Sequence, residues 1–235
     1  NYTRVKYGLQ QMLWGFFKKV VIADRLAIVV DGVYNNVDNY SGFPLFIATI
    51  FFTFQIYCDF SGYSDIAIGS ARVMGFELME NFKRPYFSKS ISEFWKRWHI
   101  SLSTWFRDYL YIPLGGNKVV KWKWYYNLFI TFLVSGFWHG ANWTFIVWGA
   151  LHAVYLIFAI LLVKPKEYLL LKLNLKGSKI HHLYQVLLTF ILASFAWIFF
   201  RANNIPDAIY IISNLFTDIS DYTSFDLMRL KLRGL

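Results

Sequence analysis

Residues 124 to 163 form a run of 40 residues without a single Asp, Glu, Lys or Arg. A bilayer core of about 30 Å is crossed by roughly 20 apolar helical residues, so the run is about twice as long as one crossing needs. Lys118, Lys121 and Lys123 precede it, and Lys164, Lys166, Lys172, Lys176 and Lys179 follow it. Basic residues mark the cytoplasmic side of membrane helices, so both flanks are cytoplasmic and the run must go in and come back. Its centre, Ser135-Gly136-Phe137-Trp138-His139-Gly140-Ala141-Asn142, carries glycines and an Asn that favour a break. The arm from 124 to 139 rises only about 24 Å at 1.5 Å per residue. His139 is therefore expected below the far surface, in contact with water or protein, because lipid-exposed irregular backbone is excluded at that depth.

Composition supports the same reading. Of 235 residues, 57% are hydrophobic and 16% charged, against about 25% charged in an ordinary soluble domain. This excludes a disordered chain and argues against a soluble one. The net charge of +10 would suit nucleic acid, an anionic lipid surface or cytoplasmic membrane loops. An aromatic fraction of 21% leaves too much apolar surface for water, and the tryptophans of the basic region abut the apolar runs, which sets nucleic acid aside as a partner. Two further uncharged stretches, 42 to 58 and 180 to 200, read as membrane segments. Residues 9 to 34 are apolar but interrupted by Lys18, Lys19, Asp24 and Arg25, and the loop 35 to 41, with Asp38 and no basic residue, is placed outside. Residues 83 to 123 interleave Lys and Arg with Phe94, Trp95, Trp98, Trp105 and Phe106, as in helices at the cytoplasmic interface. The fold class expected is all-α: a polytopic transmembrane helical bundle with re-entrant or interfacial helices. Residues 1 to 216 read as part of one membrane domain and 217 to 235 as a polar C-terminal segment. The chain opens Asn1-Tyr2-Thr3-Arg4, without Met or a signal-peptide pattern, and reads as a fragment. The single thiol, Cys58, cannot form an internal disulfide, and Asp59 beside it argues against a nucleophile.

An ionisable residue at membrane depth marks a functional site by default. Of the five histidines, His139 and His152 lie in the charge-free run. His152, inside a smooth helical stretch, reads as a structural donor to a neighbouring carbonyl. His139 sits at the break, with Trp138 and Trp143 beside it and Asn142 three residues on, where an amide on the same helical face would orient the imidazole. It is the better candidate base. At helical spacing Ser92, Lys96, His99, Ser103 and Arg107 make one polar stripe, with Trp98, Trp105 and Tyr109 towards the other side. Taken alone, that stripe describes a wet interfacial helix, and function for His99 needs a second group brought near by folding. Asp59 and Asp65, six apart, do not share a helical face; capping or pairing with a buried Lys or Arg suits them better than a metal pair. His181 and His182 belong with the headgroup zone, and Gly115-Gly116 after Pro113 reads as a turn. No His/Cys/carboxylate set has zinc spacing, so no metal is expected, and neither a Walker loop nor a GxSxG elbow is present.

Three strings carry a resemblance: YCDFSGYSDIAIG over 57 to 69, FWKRWHISLSTWFRDYLYIPLGG over 94 to 116 and SGFWHGANWTFIVWGALHA over 135 to 153. In order and spacing they closely resemble the membrane-bound O-acyltransferase family, in particular its bacterial branch that O-acetylates alginate and related exopolysaccharides, relatives of which transfer D-alanine to lipoteichoic acid. The resemblance covers about residues 1 to 216, and members are about twice as long, so N-terminal helices are expected to be missing. It maps the family's invariant histidine onto His139 and its second histidine, in Trp-His-x-Ser-Leu, onto His99. It implies a bundle thinned at its centre in the bacterial inner membrane, with no bound cofactor. There an acetyl thioester, acetyl-CoA or another acyl donor, meets an acceptor from the far side, directly or through a periplasmic or extracellular acetyltransferase partner that completes transfer to the polysaccharide.

Within that reading His139 is the general base, since neutral imidazole has the basicity an attacking alcohol needs. His99 acts as second base or polarises the acyl carbonyl. Asn142, Trp138, Lys96, Arg97, Ser103, Arg107 and Asp108 are the residues assigned to binding or orienting substrate, the cations by attraction of an anionic donor. Two alternatives stand beside it: transfer of D-alanine or another acyl group to an envelope polymer, and a transporter using intramembrane His and Asp. The transporter would favour inverted repeats and paired broken helices, of which only the break at 135 to 142 is evident.

Overall fold

The computed structural model describes residues 1–175 and 177–217. The polar segment expected over 217–235 lies outside them apart from Thr217, as does Lys176. The described residues are helical without a strand, and they fall into two compact units, residues 1–80 with 197–217 and residues 81–196.

In the first unit, helix α1 (Tyr2–Phe16) runs through a widened π turn (Phe17–Ala23) into α2 (Asp24–Tyr34), and both pack along α3 (Phe43–Met74). Backbone contact sets the α1–α3 spacing: a Cβ at Gly15 would lie 2.6 Å from the Gly62 carbonyl oxygen, and one at Gly69 the same distance from that of Gly8. Small residues permit such close approach between membrane helices. The apolar run expected to stop at Asp59 continues as helix to Met74, where Gly75 closes it at φ 102°. Its two carboxylates are neutralised from within the fold. Asp65 pairs with Lys18, which also donates to Ser61 Oγ at 2.9 Å, while Asp59 pairs with Lys19 at 2.9 Å. Pairing with buried Lys is thus the correct alternative for Asp65, and the π turn is what carries both lysines.

In the second unit, α4 (Ile91–Arg97) and α5 (Ile100–Phe106) are short. A π turn (Arg107–Tyr111) and a turn at Gly115 and Gly116, both at positive φ, lead to α6 (Lys121–His139). Buried Asn127 of α6 donates to the carbonyls of Leu114 and Gly116 at 3.1 and 3.0 Å, tying that turn to the helix. Helix α7 (Trp143–Leu161) packs back along α6, the hairpin that the charge-free run required. Any side chain at Gly136 or Gly149 would collide with the carbonyl of Phe145 or Phe132 on the facing helix. The basic stretch beyond, read as a loop, contains α8 (Val163–Lys172) before α9 (Lys179–Arg201). Helix α10 (Ile205–Asn214) belongs to the first unit. Among the described residues three helices, α3, α7 and α9, are long and apolar enough to cross a membrane.

Candidate active site

Ser90 starts α4, accepting from the Glu93 N–H at 3.1 Å, while the Glu93 carboxylate accepts from the Lys89 N–H at 2.7 Å and pairs with Arg97. The Lys89 N–H, followed by the charge of Arg97, holds the Glu93 carboxyl below its usual range. The helix ends after one pair of turns. Trp98 is buried in a box of aromatic rings, 5.5 Å from Phe94, 5.9 Å from Tyr86 and 5.0 Å from Phe82. The next residue, His99, adopts left-handed backbone values, φ 43° and ψ 56°. For a side chain other than glycine this costs of order 1–2 kcal/mol, and such strain persists only where the surroundings over-determine it. Here Asn81 supplies the clamp: its carbonyl accepts from the Ile100 N–H and its Oδ1 from the Ser101 N–H, both at 3.0 Å.

The break divides the expected polar stripe, so Ser92 and Lys96 belong to one helix and Ser103 to another. Trp98 is core, not headgroup belt, at 4% exposure. Ser103 Oγ donates to the Trp98 carbonyl at 3.2 Å. Lys96 is exposed, Arg97 is paired with Glu93, and Arg107 holds Asp108 through two bonds of 2.7 and 3.2 Å on the exposed surface. Ser101, which the sequence did not single out, brings its Oγ to 3.5 Å from His99 Nδ1. Its position two residues after a histidine gave no periodic signal, because the left-handed turn and not a helix brings them together. His99 lies outside the three candidate spans, and burial holds its imidazole down at about 4.

His139 is the last residue of α6, since Gly140 leaves helical geometry (φ 159°, ψ 161°). Its ring meets those of Trp138 at 5.0 Å, Trp148 at 5.1 Å and Phe145 at 6.2 Å, the first two nearly perpendicular. Asn142 does not share a helix with His139. It caps α7, its Oδ1 accepting from the Thr144 N–H at 3.1 Å. The imidazoles of His99 and His139, forty residues apart in sequence, lie within charge–charge range of each other. His152 is fully buried, and its Nδ1 accepts from the Trp95 indole N–H at 3.3 Å instead of donating to a carbonyl. Among the described residues no three His, Cys, Asp or Glu side chains gather to hold a metal ion. What the arrangement offers is two imidazoles, at least one neutral at physiological pH, that of His139 framed by aromatic rings: a setting for moving a proton and for donating to a developing oxyanion.

The family model for membrane-bound O-acyltransferases matches residues 1–165. The chain is 43% identical over 228 residues to a probable alginate O-acetylase AlgI of Azotobacter vinelandii, covering 97% of this chain and 43% of that protein. It is 40% identical over 215 residues to a peptidoglycan O-acetyltransferase of Helicobacter pylori, covering 92% and 40%. A teichoic acid D-alanyltransferase of Bacillus subtilis is 39% identical over 111 residues, 44% of this chain and 28% of that one. The chain thus spans less than half the length of these relatives.

Proposed function

From the premise that this chain belongs to the membrane-bound O-acyltransferase family, we propose that it carries the two-histidine centre of a multi-pass O-acetyltransferase of the bacterial inner membrane. The enzyme takes an acetyl group from a cytoplasmic thioester for O-acetylation of an extracellular polysaccharide such as alginate. The observation that carries this reading is the approach of His99 and His139 to within charge–charge range in one unit, each at the end of a helix, His99 in strained backbone and His139 against aromatic rings.

The chemistry follows from these groups. An acceptor hydroxyl attacks the thioester carbonyl, and His139 takes its proton as the new C–O bond forms. The tetrahedral intermediate carries its negative charge on the former carbonyl oxygen, where an N–H of His99 stabilises it. Collapse expels the thiolate, which takes up the proton from His139, leaving ester and thiol. His99 is the second base if its place and that of His139 are exchanged relative to substrate. Asn142 fixes the start of α7 beside the reacting groups, and Trp138 covers the imidazole of His139. Exposed Lys96 attracts an anionic donor such as coenzyme A, and Arg97 and Arg107 contribute less because Glu93 and Asp108 already neutralise them. A periplasmic or extracellular acetyltransferase partner completes delivery where the polymer does not itself reach the site.

Replacing His139 by Ala or Gln tests the assignment. Ester-bound acetate on the envelope polysaccharide, measured by mass spectrometry, disappears while the protein still accumulates in the membrane; retained acetylation refutes the role. The same spectra identify the cargo, since D-alanyl esters in place of acetate would move this chain to the reaction named for its more distant relatives.

A further inference from the structure

We infer that His152 is a positioning residue that sets the spacing of His99 and His139 by accepting the Trp95 indole N–H and by packing against Trp148. The inference rests on the acyl-transfer reading above. His152 has no exposed surface and is enclosed by rings: Phe94 stacks on it at 6.3 Å and Phe132 at 6.2 Å, while Trp95, Trp148 and Tyr155 present edges at 5.0, 5.1 and 5.8 Å. A polar ring in such surroundings is costly unless bonded, and its Nδ1 takes the Trp95 N–H at 3.3 Å. For Nδ1 to accept, the neutral ring carries its hydrogen on Nε2.

That bond, with the ring contacts of Phe94 and Trp95, joins α4 to α7. Helix α4 has seven residues, far below the length at which a helix is stable by itself, so its placement depends on what it packs against. Trp95 is four residues before His99, and Phe94 lies at the centre of the box that receives Trp98. On the other side, Trp148 stands one turn before His152 on α7 and meets the rings of both His152 and His139 at 5.1 Å. His152 therefore touches one residue that places each proposed catalytic histidine. A displacement of about 1 Å between reacting groups can cost on the order of 100-fold in rate.

The test compares His152→Phe, which keeps a ring and removes the acceptor, with His152→Asn, whose Oδ1 can accept near the place of Nδ1, and Trp95→Phe, which removes only the donor. The intact membrane protein in vesicles is assayed with acetyl-CoA by thiol release, alongside ester-bound acetate on the cell envelope. Expected are losses of about 10- to 100-fold in kcat for His152→Phe and Trp95→Phe, with KM for acetyl-CoA within about twofold. Substantial recovery is expected in His152→Asn, and a pH profile of the remaining activity unchanged in shape. The double variant His152→Phe/Trp95→Phe should be no worse than His152→Phe, because both changes remove the same bond. Wild-type kcat in His152→Phe, multiplying losses in the double variant, or His152→Asn as impaired as His152→Phe overturns the inference. Should His152→Phe fail to accumulate, Trp95→Phe decides: unchanged kcat there is equally fatal. His139→Ala run in parallel separates the two claims, since activity surviving in it refutes the acyl-transfer reading itself.

Discussion

At the scale of single residues, the site is two imidazoles whose surroundings differ. His139 is surrounded by rings on a helix end, and loss of a general base costs about 10²- to 10⁴-fold, so His139→Ala should leave less than about 1% of acetyl transfer. His99 sits in a clamped left-handed turn, and burial lowers its imidazole to about 4. An unfolded chain would bind that proton near the ordinary value of about 6.5. The folded state binds it less readily, so stability falls as pH drops through the window from about 6.5 to about 4. It is full above that window. Replacing His99 by Gln should flatten this part of the stability–pH curve, measured by thermal unfolding of detergent-solubilised protein; an unchanged slope would show that His99 binds its proton equally well folded and unfolded. Asn81→Ala should loosen the turn and reduce transfer without loss of membrane accumulation, since the Ser101 N–H loses its side-chain acceptor while the backbone acceptor of the Ile100 N–H and the core remain. The two histidines stood out from the sequence because their neighbours match a family. Ser101 and Asn81 did not, since each owes its place to a backbone conformation that no periodicity announces.

At the scale of elements, two devices hold the helices where the site needs them. The α6–α7 hairpin closes by backbone contact at Gly136 and Gly149, and Gly149→Ala must push a methyl into the Phe132 carbonyl. Overpacking of this kind costs about 1–3 kcal/mol and moves the end of α6, so activity should fall further than thermal stability. In the first unit the membrane helix α3 tolerates Asp65 because Lys18, 10% exposed at its side chain, is paired with it. Removing Lys18 alone, as in Lys18→Met, leaves that carboxylate without its cation and with only the Gln11 amide donating to it at 3.1 Å, and should cost about 3 kcal/mol, the lower end of the range for a broken buried pair because Asp65 retains 23% exposure. Lys18→Met combined with Asp65→Leu should restore stability to within about 1 kcal/mol of the parent. The uncharged run 42 to 58 stops short of the end of α3 for the same reason. A carboxylate after an apolar run reads as a stop, and only its partner on another helix shows that the helix goes on.

At the scale of the whole molecule, the flanking lysines predict that residues 123 and 164 face the cytoplasm. Cysteines introduced there should react with an impermeant thiol reagent only after the inner membrane is opened, whereas reaction from outside would reverse the hairpin. The sequence by itself determined that the chain is an all-α membrane protein, where the long run turns back, and which two histidines to watch. The first two are written in charge, hydropathy and spacing, which act locally, and the pair of histidines in motif strings shared with a family. Tertiary structure alone decided that the two histidines come within charge–charge range, that α4 and α5 are separate helices joined by strained backbone, and that Asp65 is paired. It also showed that His152 accepts from the Trp95 indole N–H. Each of these depends on contacts between residues far apart in the chain, made by close helix packing and buried hydrogen bonds, and such contacts leave no periodic trace in one sequence.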